Sequence, residues 1–253
     1  LLKAIRSVST GVVGAASNIK MTVNVAAASA TLTADEIVVG TALGGQTYKL
    51  SGFNKTINLA TTGAGGMDAG TAPVNGYVAL YAIFNPATGV SALLATNATS
   101  AVMPQIYGAA PYPAGYTASA LLTVVPTQGG GLFKVVTVRG RTVGIVNANA
   151  FATAVAVTNS VVSIASIVPP NAVEISGTFS LSASTASNLG LALVSDTNQI
   201  SQQNLSLSNM VTGQSIISSY AGVLISTPQQ VVVTATVTAG TPSISANISE
   251  YRI

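Results

Sequence analysis

Few side chains in this chain could do chemistry, and their types narrow what that chemistry could be. The carboxylates are Asp35, Glu36, Asp68, Glu174, Asp196 and Glu250. There is no His and no Cys, so the commonest general base, the commonest metal ligands and every thiolate nucleophile are missing. Glycoside hydrolysis needs two carboxyl groups facing each other across a sugar, roughly 5–9.5 Å apart. Asp35, Glu36 and Asp68 are the residues that could supply such a pair. A serine nucleophile needs an adjacent base; only Lys and the same carboxylates are on offer, and no G-x-S-x-G turn occurs. The expectation is a chain that is not an enzyme, with no catalytic residue, no cofactor and no metal site.

Two segments invite a binding role. Gly63-Ala64-Gly65-Gly66-Met67-Asp68-Ala69-Gly70 has the look of a phosphate-cradling loop, but it lacks the Lys-Ser/Thr of a P-loop and no helical pattern follows. It reads as a hairpin or surface loop, and Asp68 alone does not make a Ca²⁺ site. Tyr107, Tyr112 and Tyr116 lie in a Pro- and Gly-rich stretch from Met103 to Tyr116. Exposed tyrosines on a rigid loop offer an apolar face and a hydroxyl, which suits stacking on a sugar. With Tyr220 they are the candidate receptor contacts. The competing reading is that they pin the loop to its own domain or to a neighbouring subunit.

Lys134, Arg139 and Arg141 are the one local cluster of cations, too thin for a surface that tracks phosphates, so no nucleic-acid partner is expected. Charged residues make up 6% of the chain and hydrophobic ones 49%. No run approaches the roughly 18 apolar residues a spanning helix requires. The 8 Tyr and 5 Phe are too scattered for the two aromatic girdles of a membrane barrel. The chain is expected not to be membrane-inserted. The abundance of Ala, Thr, Ser, Val and Gly suits closely packed strands. A surface this poor in charge is weakly protected against association, which points to a permanent homo-oligomer.

Period-two alternation recurs along the chain and marks half-buried strands. Val173, Ile175, Phe179 and Leu181 point one way, with Glu174, Ser176, Thr178 and Ser180 opposite. Leu205 and Leu207 alternate with Ser206 and Ser208, and the segments Val231–Val237 and Ile244–Ile248 behave alike. Turn signals fall between them at Gly44-Gly45, Asn75-Gly76, Asn85-Pro86, Gly129-Gly130-Gly131, Pro169-Pro170 and Gly240-Thr241-Pro242. Short helices are expected only at Ala87–Ala98, Ala30–Glu36 and Asn147–Ala156. The fold class is therefore all-β: two β-sandwich or jelly-roll-like domains with few short helices. Every Lys lies before residue 140, and beyond it Arg141 and Arg252 are the only cations. A boundary between Arg139 and Phe151 divides a first β-rich domain, 1–140, from a C-terminal sandwich, 141–253.

Several stretches resemble a known family. They are Ala16-Ser17-Asn18-Ile19-Lys20-Met21-Thr22-Val23, Ala30-Thr31-Leu32-Thr33-Ala34-Asp35-Glu36 and Lys55-Thr56-Ile57-Asn58-Leu59-Ala60-Thr61-Thr62-Gly63-Ala64-Gly65-Gly66-Met67-Asp68. Tyr77-Val78-Ala79-Leu80-Tyr81-Ala82-Ile83-Phe84-Asn85-Pro86 and Pro113-Ala114-Gly115-Tyr116-Thr117-Ala118-Ser119-Ala120-Leu121 belong with them. Together they are similar to the distal domain of tail fibre proteins of phages and prophages of Gram-negative bacteria. The resemblance covers roughly residues 15 to 126 and is looser beyond 150.

The resemblance implies a homotrimeric fibre at the distal end of a virion tail. Its tip would touch lipopolysaccharide or another host cell-surface glycan, and a region before Leu1 would join other tail or baseplate proteins. A phage-tail-like bacteriocin would be built the same way. No residue-level binding map carries over. The second domain is then the expected tip, because uncharged Ser, Asn, Gln and Tyr side chains suit sugar hydroxyls that both donate and accept. Two alternatives stay open: an architectural virion or surface-layer protein, and a polysaccharide-degrading tail protein using the carboxylates named above.

Overall fold

The computed structural model describes residues 11–108 and 112–253; the starting residues 1–3 and part of the tyrosine segment, 109–111, lie outside them. The protein is all-β. Its strands are β1 (Ala16–Ser17), β2 (Lys20–Val23), β3 (Ser29–Gly40), β4 (Thr47–Asn58), β5 (Tyr77–Asn85), β6 (Val90–Asn97), β7 (Ala118–Gln128), β8 (Leu132–Phe133) and β9 (Val136–Arg139). They continue with β10 (Thr142–Thr153), β11 (Val157–Ser163), β12 (Glu174–Ser182), β13 (Ser187–Val194), β14 (Gln203–Met210), β15 (Ser215–Leu224), β16 (Gln230–Val237) and β17 (Ser243–Arg252). Among the described residues the helical content is one 3₁₀ turn, Gly129–Gly131, and no helix is long and apolar enough to cross a membrane.

The three expected helices are corrected to strand and turn. Ala30–Glu36 lies inside β3, where Ala30, Leu32 and Ala34 are buried and Ser29, Thr31 and Asp35 are exposed. Residues 86–89 form a turn and 90–97 are β6. Most of Asn147–Ala156 is the second half of β10. Alanine's helix propensity is overridden because each segment finds a ladder partner: Ala30 opposite Ile57 on β4, Leu93 opposite Ala82 across the β5–β6 hairpin, and Asn149 opposite Asn247 on β17. Asn85 sets the turn between β5 and β6: its Oδ1 accepts from the N–H groups of Ala87 and Thr88 at 3.0 and 3.3 Å, an Asx-type turn.

The chain divides into two compact units, Leu1–Arg141 and Thr142–Ile253. In the first, strand order runs β9-β2-β3-β7-β5-β6, with β1 and β4 also paired to β3 and β8 to β7. β3 and β4 form a long hairpin in register from Ser29↔Asn58 to Gly40↔Thr47. A second layer, β6-β5-β7, joins it through the single pair Gly40↔Ser119. β5 and β7 read as almost continuous apolar runs and are buried on both faces over most of their length, as strands covered on both sides must be. Tyr48 of β4 meets Phe84 of β5 with ring centroids 5.1 Å apart.

The second unit has two four-stranded antiparallel sheets, β15-β12-β17-β10 and β11-β16-β13-β14. If its eight strands are lettered B to I in chain order, the sheets read G-D-I-B and C-H-E-F. That is the jelly roll, two interlocked Greek keys whose sheets cover each other's apolar faces. β13 of one sheet packs against β12, β15 and β17 of the other. Alternation decides which side chains go in: Ile175, Phe179 and Leu181 of β12 meet Leu189, Leu191 and Leu193 of β13, with Ile244, Ala246 and Ile248 of β17, all buried. Each of these Ile, Leu and Phe side chains contributes about 1.5–3 kcal/mol when fully buried.

One glycine is required by close approach. At the β-bulge between Ser176 and Gly177, a Cβ on Gly177 would collide with the Asn247 carbonyl. Tyr220, opposite Gly177 on β15, donates its hydroxyl to that same carbonyl at 3.0 Å and stacks on Phe179 at 4.6 Å.

Candidate functional site

In the first unit, the structure brings together two segments that the sequence presents separately. Gly65 N–H donates to Leu93 O, Asp68 N–H to Ala95 O and Ala95 N–H to Gly66 O, at 2.7–2.9 Å. The glycine-rich loop thus runs along β6 and covers what would be a free sheet edge. Its backbone is spent on this pairing, which leaves no cradle of N–H groups for a phosphate. Asp68 takes the Ala69 N–H at Oδ1 and the Tyr107 hydroxyl at Oδ2, at 2.7 and 3.0 Å.

The tyrosine segment is held just as firmly. Tyr107 N–H donates to Ser119 Oγ at 2.9 Å, Leu121 N–H to Gln105 O at 2.9 Å, and the Tyr81 hydroxyl to Pro104 O at 2.7 Å. Tyr81, Tyr107 and Tyr112 make a chain of edge-to-face rings with centroids 5.5 and 5.0 Å apart. Burial pushes the Tyr81 and Tyr107 hydroxyls well above the ordinary tyrosine range, and at Tyr107 the Asp68 hydrogen bond and charge add to it. Burial also raises Tyr112, with the Ser119 hydroxyl pulling the other way.

These contacts correct part of the expected contact set. Tyr107 and Tyr220 are 4% exposed and act as hydrogen-bonded pins, because a buried ring with a satisfied hydroxyl cannot also stack on a ligand. Tyr112 and Tyr116 are half-buried. Tyr81, hidden in the apolar run of β5, is the cluster member that alternation alone could not single out.

The carboxylates have separate partners. Asp35 accepts from Asn18 Nδ2 at 3.2 and 3.3 Å, Glu36 pairs with Lys49 at 3.6 Å, and Asp68 is held by Tyr107. Among the described residues no group of three or more metal-ligating side chains comes together. Of the cation cluster, Arg141 is turned onto the Gly14 carbonyl and Gln105 Oε1, at 3.2 and 3.3 Å, so its guanidinium fixes a loop.

In the second unit the chemistry lies on the two outer faces of the jelly roll. On the β15-β12-β17-β10 sheet, register aligns Ser219, Thr178, Asn247 and Asn149 in one row. Ser215, Ser182 and Ser243 form another. Asn149 Nδ2 donates to Asn247 Oδ1 at 3.1 Å. Glu174 and Arg252, 2.9 Å apart, sit at one end of the sheet, which leaves these rows uncharged.

On the other sheet, β13 runs between β16 and β14 and carries small residues on its outer side. Thr236, Gly190 and Ser206 form one row, and Thr234, Ala192 and Asn204 the next. A shallow groove of about 150 Å³ lies over them. The pattern Leu189-Gly190-Leu191-Ala192-Leu193 carries the signal in the sequence: large residues inward, small ones outward. Sequence reasoning missed it because the walls come from strands on either side of β13 in space. No protein-family model matches the chain, and no characterised protein matches it in sequence.

Proposed function

We propose that this protein is the host-recognition end of a tailed-phage fibre. In this reading it works as a homotrimer whose jelly-roll unit contacts glycans on the outer surface of Gram-negative cells. The observation that carries the reading is the jelly roll itself, with rows of uncharged hydroxyl and amide side chains on both outer faces. The same architecture serves viral capsid and lectin domains, and neutral donor–acceptor surfaces match the hydroxyls of a polysaccharide. The stretches between residues 15 and 126 that resemble tail fibres point the same way.

Association is supported by exposed apolar residues in a unit with few charges: Val146, Val161 and Ile217 are 68, 59 and 69% exposed. Isolated exposed residues of this size are ordinary, but here few charges stand between them to oppose contact. A trimer would multiply a weak single-site affinity through avidity.

The test combines light scattering at several protein concentrations with adsorption of the labelled protein to a panel of Gram-negative strains. A concentration-independent trimer that adsorbs to some strains and not others supports the reading. A stable monomer, or a trimer that adsorbs to none, counts against it; the latter result would favour an architectural role.

A further inference from the structure

The groove over β13 has the features of a binding subsite rather than of a packing defect. Its floor is Gly190 and Ala192, and its lining carries no charged residue. Strands lie about 4.8 Å apart, so the two walls stand roughly 9–10 Å from each other. A Cβ at Gly190 would come within 2.6 Å of Thr236 Oγ1, so only glycine keeps the floor open beneath that hydroxyl. On one wall Thr234 is held in place: its Oγ1 accepts from the Asn159 N–H at 3.1 Å and donates to Asn159 Oδ1 at 3.3 Å. Asn204, Ser206 and Thr236 are exposed and make no side-chain hydrogen bond among the described residues, so their donors and acceptors are open to a ligand.

We infer that this groove is a subsite for one neutral pyranose ring of a host polysaccharide. The volume of about 150 Å³ corresponds to roughly five waters at ~30 Å³ each, enough for a single ring and too little for an oligosaccharide segment. Hydroxyl and amide walls pair with sugar hydroxyls in either direction. The flat Gly–Ala floor accepts the C–H face of the ring. The uncharged lining offers nothing to an acidic sugar or a phosphorylated core, whose desolvated charge would go unpaired. Small, polar and partly pre-ordered sites of this kind bind weakly alone, which fits a multivalent protein.

This inference rests on the host-recognition reading and is tested so that the two can fail separately. The protein is applied to an array of immobilised neutral methyl glycosides and of dextran, mannan and galactan, beside acidic polysaccharides. The variant Asn204→Ala/Ser206→Ala removes one wall from exposed positions. Ser51→Ala/Asn54→Ala, at exposed positions on β4 of the first unit, is the control. Retention on at least one neutral glycan, reduced tenfold or more in the wall variant and unchanged in the control, supports the subsite. Equal retention by both variants overturns it, as does retention only on acidic polysaccharides. A wall variant that loses its oligomeric mass would identify the groove as a subunit contact and overturn it too. Adsorption to cells without retention on any neutral glycan overturns the subsite and leaves host recognition standing; failure to adsorb to any strain removes the wider reading.

Discussion

The Tyr107 hydroxyl donates to Asp68 Oδ2 at 3.0 Å, across 39 residues of chain. This bond ties the glycine-rich loop on the β6 edge to the proline- and tyrosine-rich segment laid along β7. Tyr107→Phe keeps the ring packing and removes only the donor. A hydrogen bond to a charged acceptor is worth about 1.5–3 kcal/mol. Asp68 is half-exposed, and water replaces part of the loss, so the expected destabilisation is about 1 kcal/mol. Asp68→Ala should cost a similar amount, and the double variant little more than either single one. Urea denaturation of the three variants measures the coupling; simple additivity would show that the bond contributes nothing.

Alkaline pH should unfold the protein. Burial is the leading cause that raises Tyr77, Tyr81, Tyr107 and Tyr220 above their ordinary value of 10.0. An acid whose folded pKa is raised lends stability that is fully present below its unfolded pKa and is lost as pH rises towards the folded one. Stability should therefore hold up to about pH 10 and decline beyond it. The phenolate absorbance of these residues should appear together with the loss of β-sheet circular dichroism. Ionisation of all tyrosines while the sheet signal persists would contradict the burial described here.

Gly177→Ala is expected to be among the most damaging single-methyl changes in the second unit. The added Cβ meets the Asn247 carbonyl, a backbone atom that also receives the Tyr220 hydroxyl, so the bulge must open. Overpacking of this sort costs about 1–3 kcal/mol. Thermal melting of the variant beside Ala221→Gly, at a nearby exposed position, tests the claim; equal melting temperatures would refute it.

Salt should matter little. The two ion pairs found among the described residues, Lys49–Glu36 and Arg252–Glu174, each leave at least one partner about half exposed. Such pairs are worth about 0–1 kcal/mol each. Between low salt and about 0.5 M sodium chloride the melting temperature should move by no more than roughly 2–4 °C. A larger shift would reveal an electrostatic contribution that these contacts do not contain.

Alternation is a local property, and it is legible wherever one strand face is buried. Ile175, Phe179 and Leu181 announce β12, Ile244 to Ile248 announce β17, and Asn85-Pro86 marks the turn it makes. The all-β character follows from such stretches alone. Alanine-rich segments were not legible in this way. Asn147–Ala156 is interrupted by alanines, and only its pairing with β17, 98 residues on at Asn149 opposite Asn247, makes most of it strand. Pairing between strands distant in sequence is set by the closure of long loops and the joint burial of both faces, which no short window contains. The same holds for every functional feature. The order G-D-I-B and C-H-E-F and the walls of Asn204 and Thr236 around Gly190 exist only once β13 lies between β14 and β16; the burial of Tyr107 against Asp68 exists only once their two segments lie beside β7 and β6. Local sequence could name polar, uncharged strands; the long-range pairing chose which of those side chains share a surface.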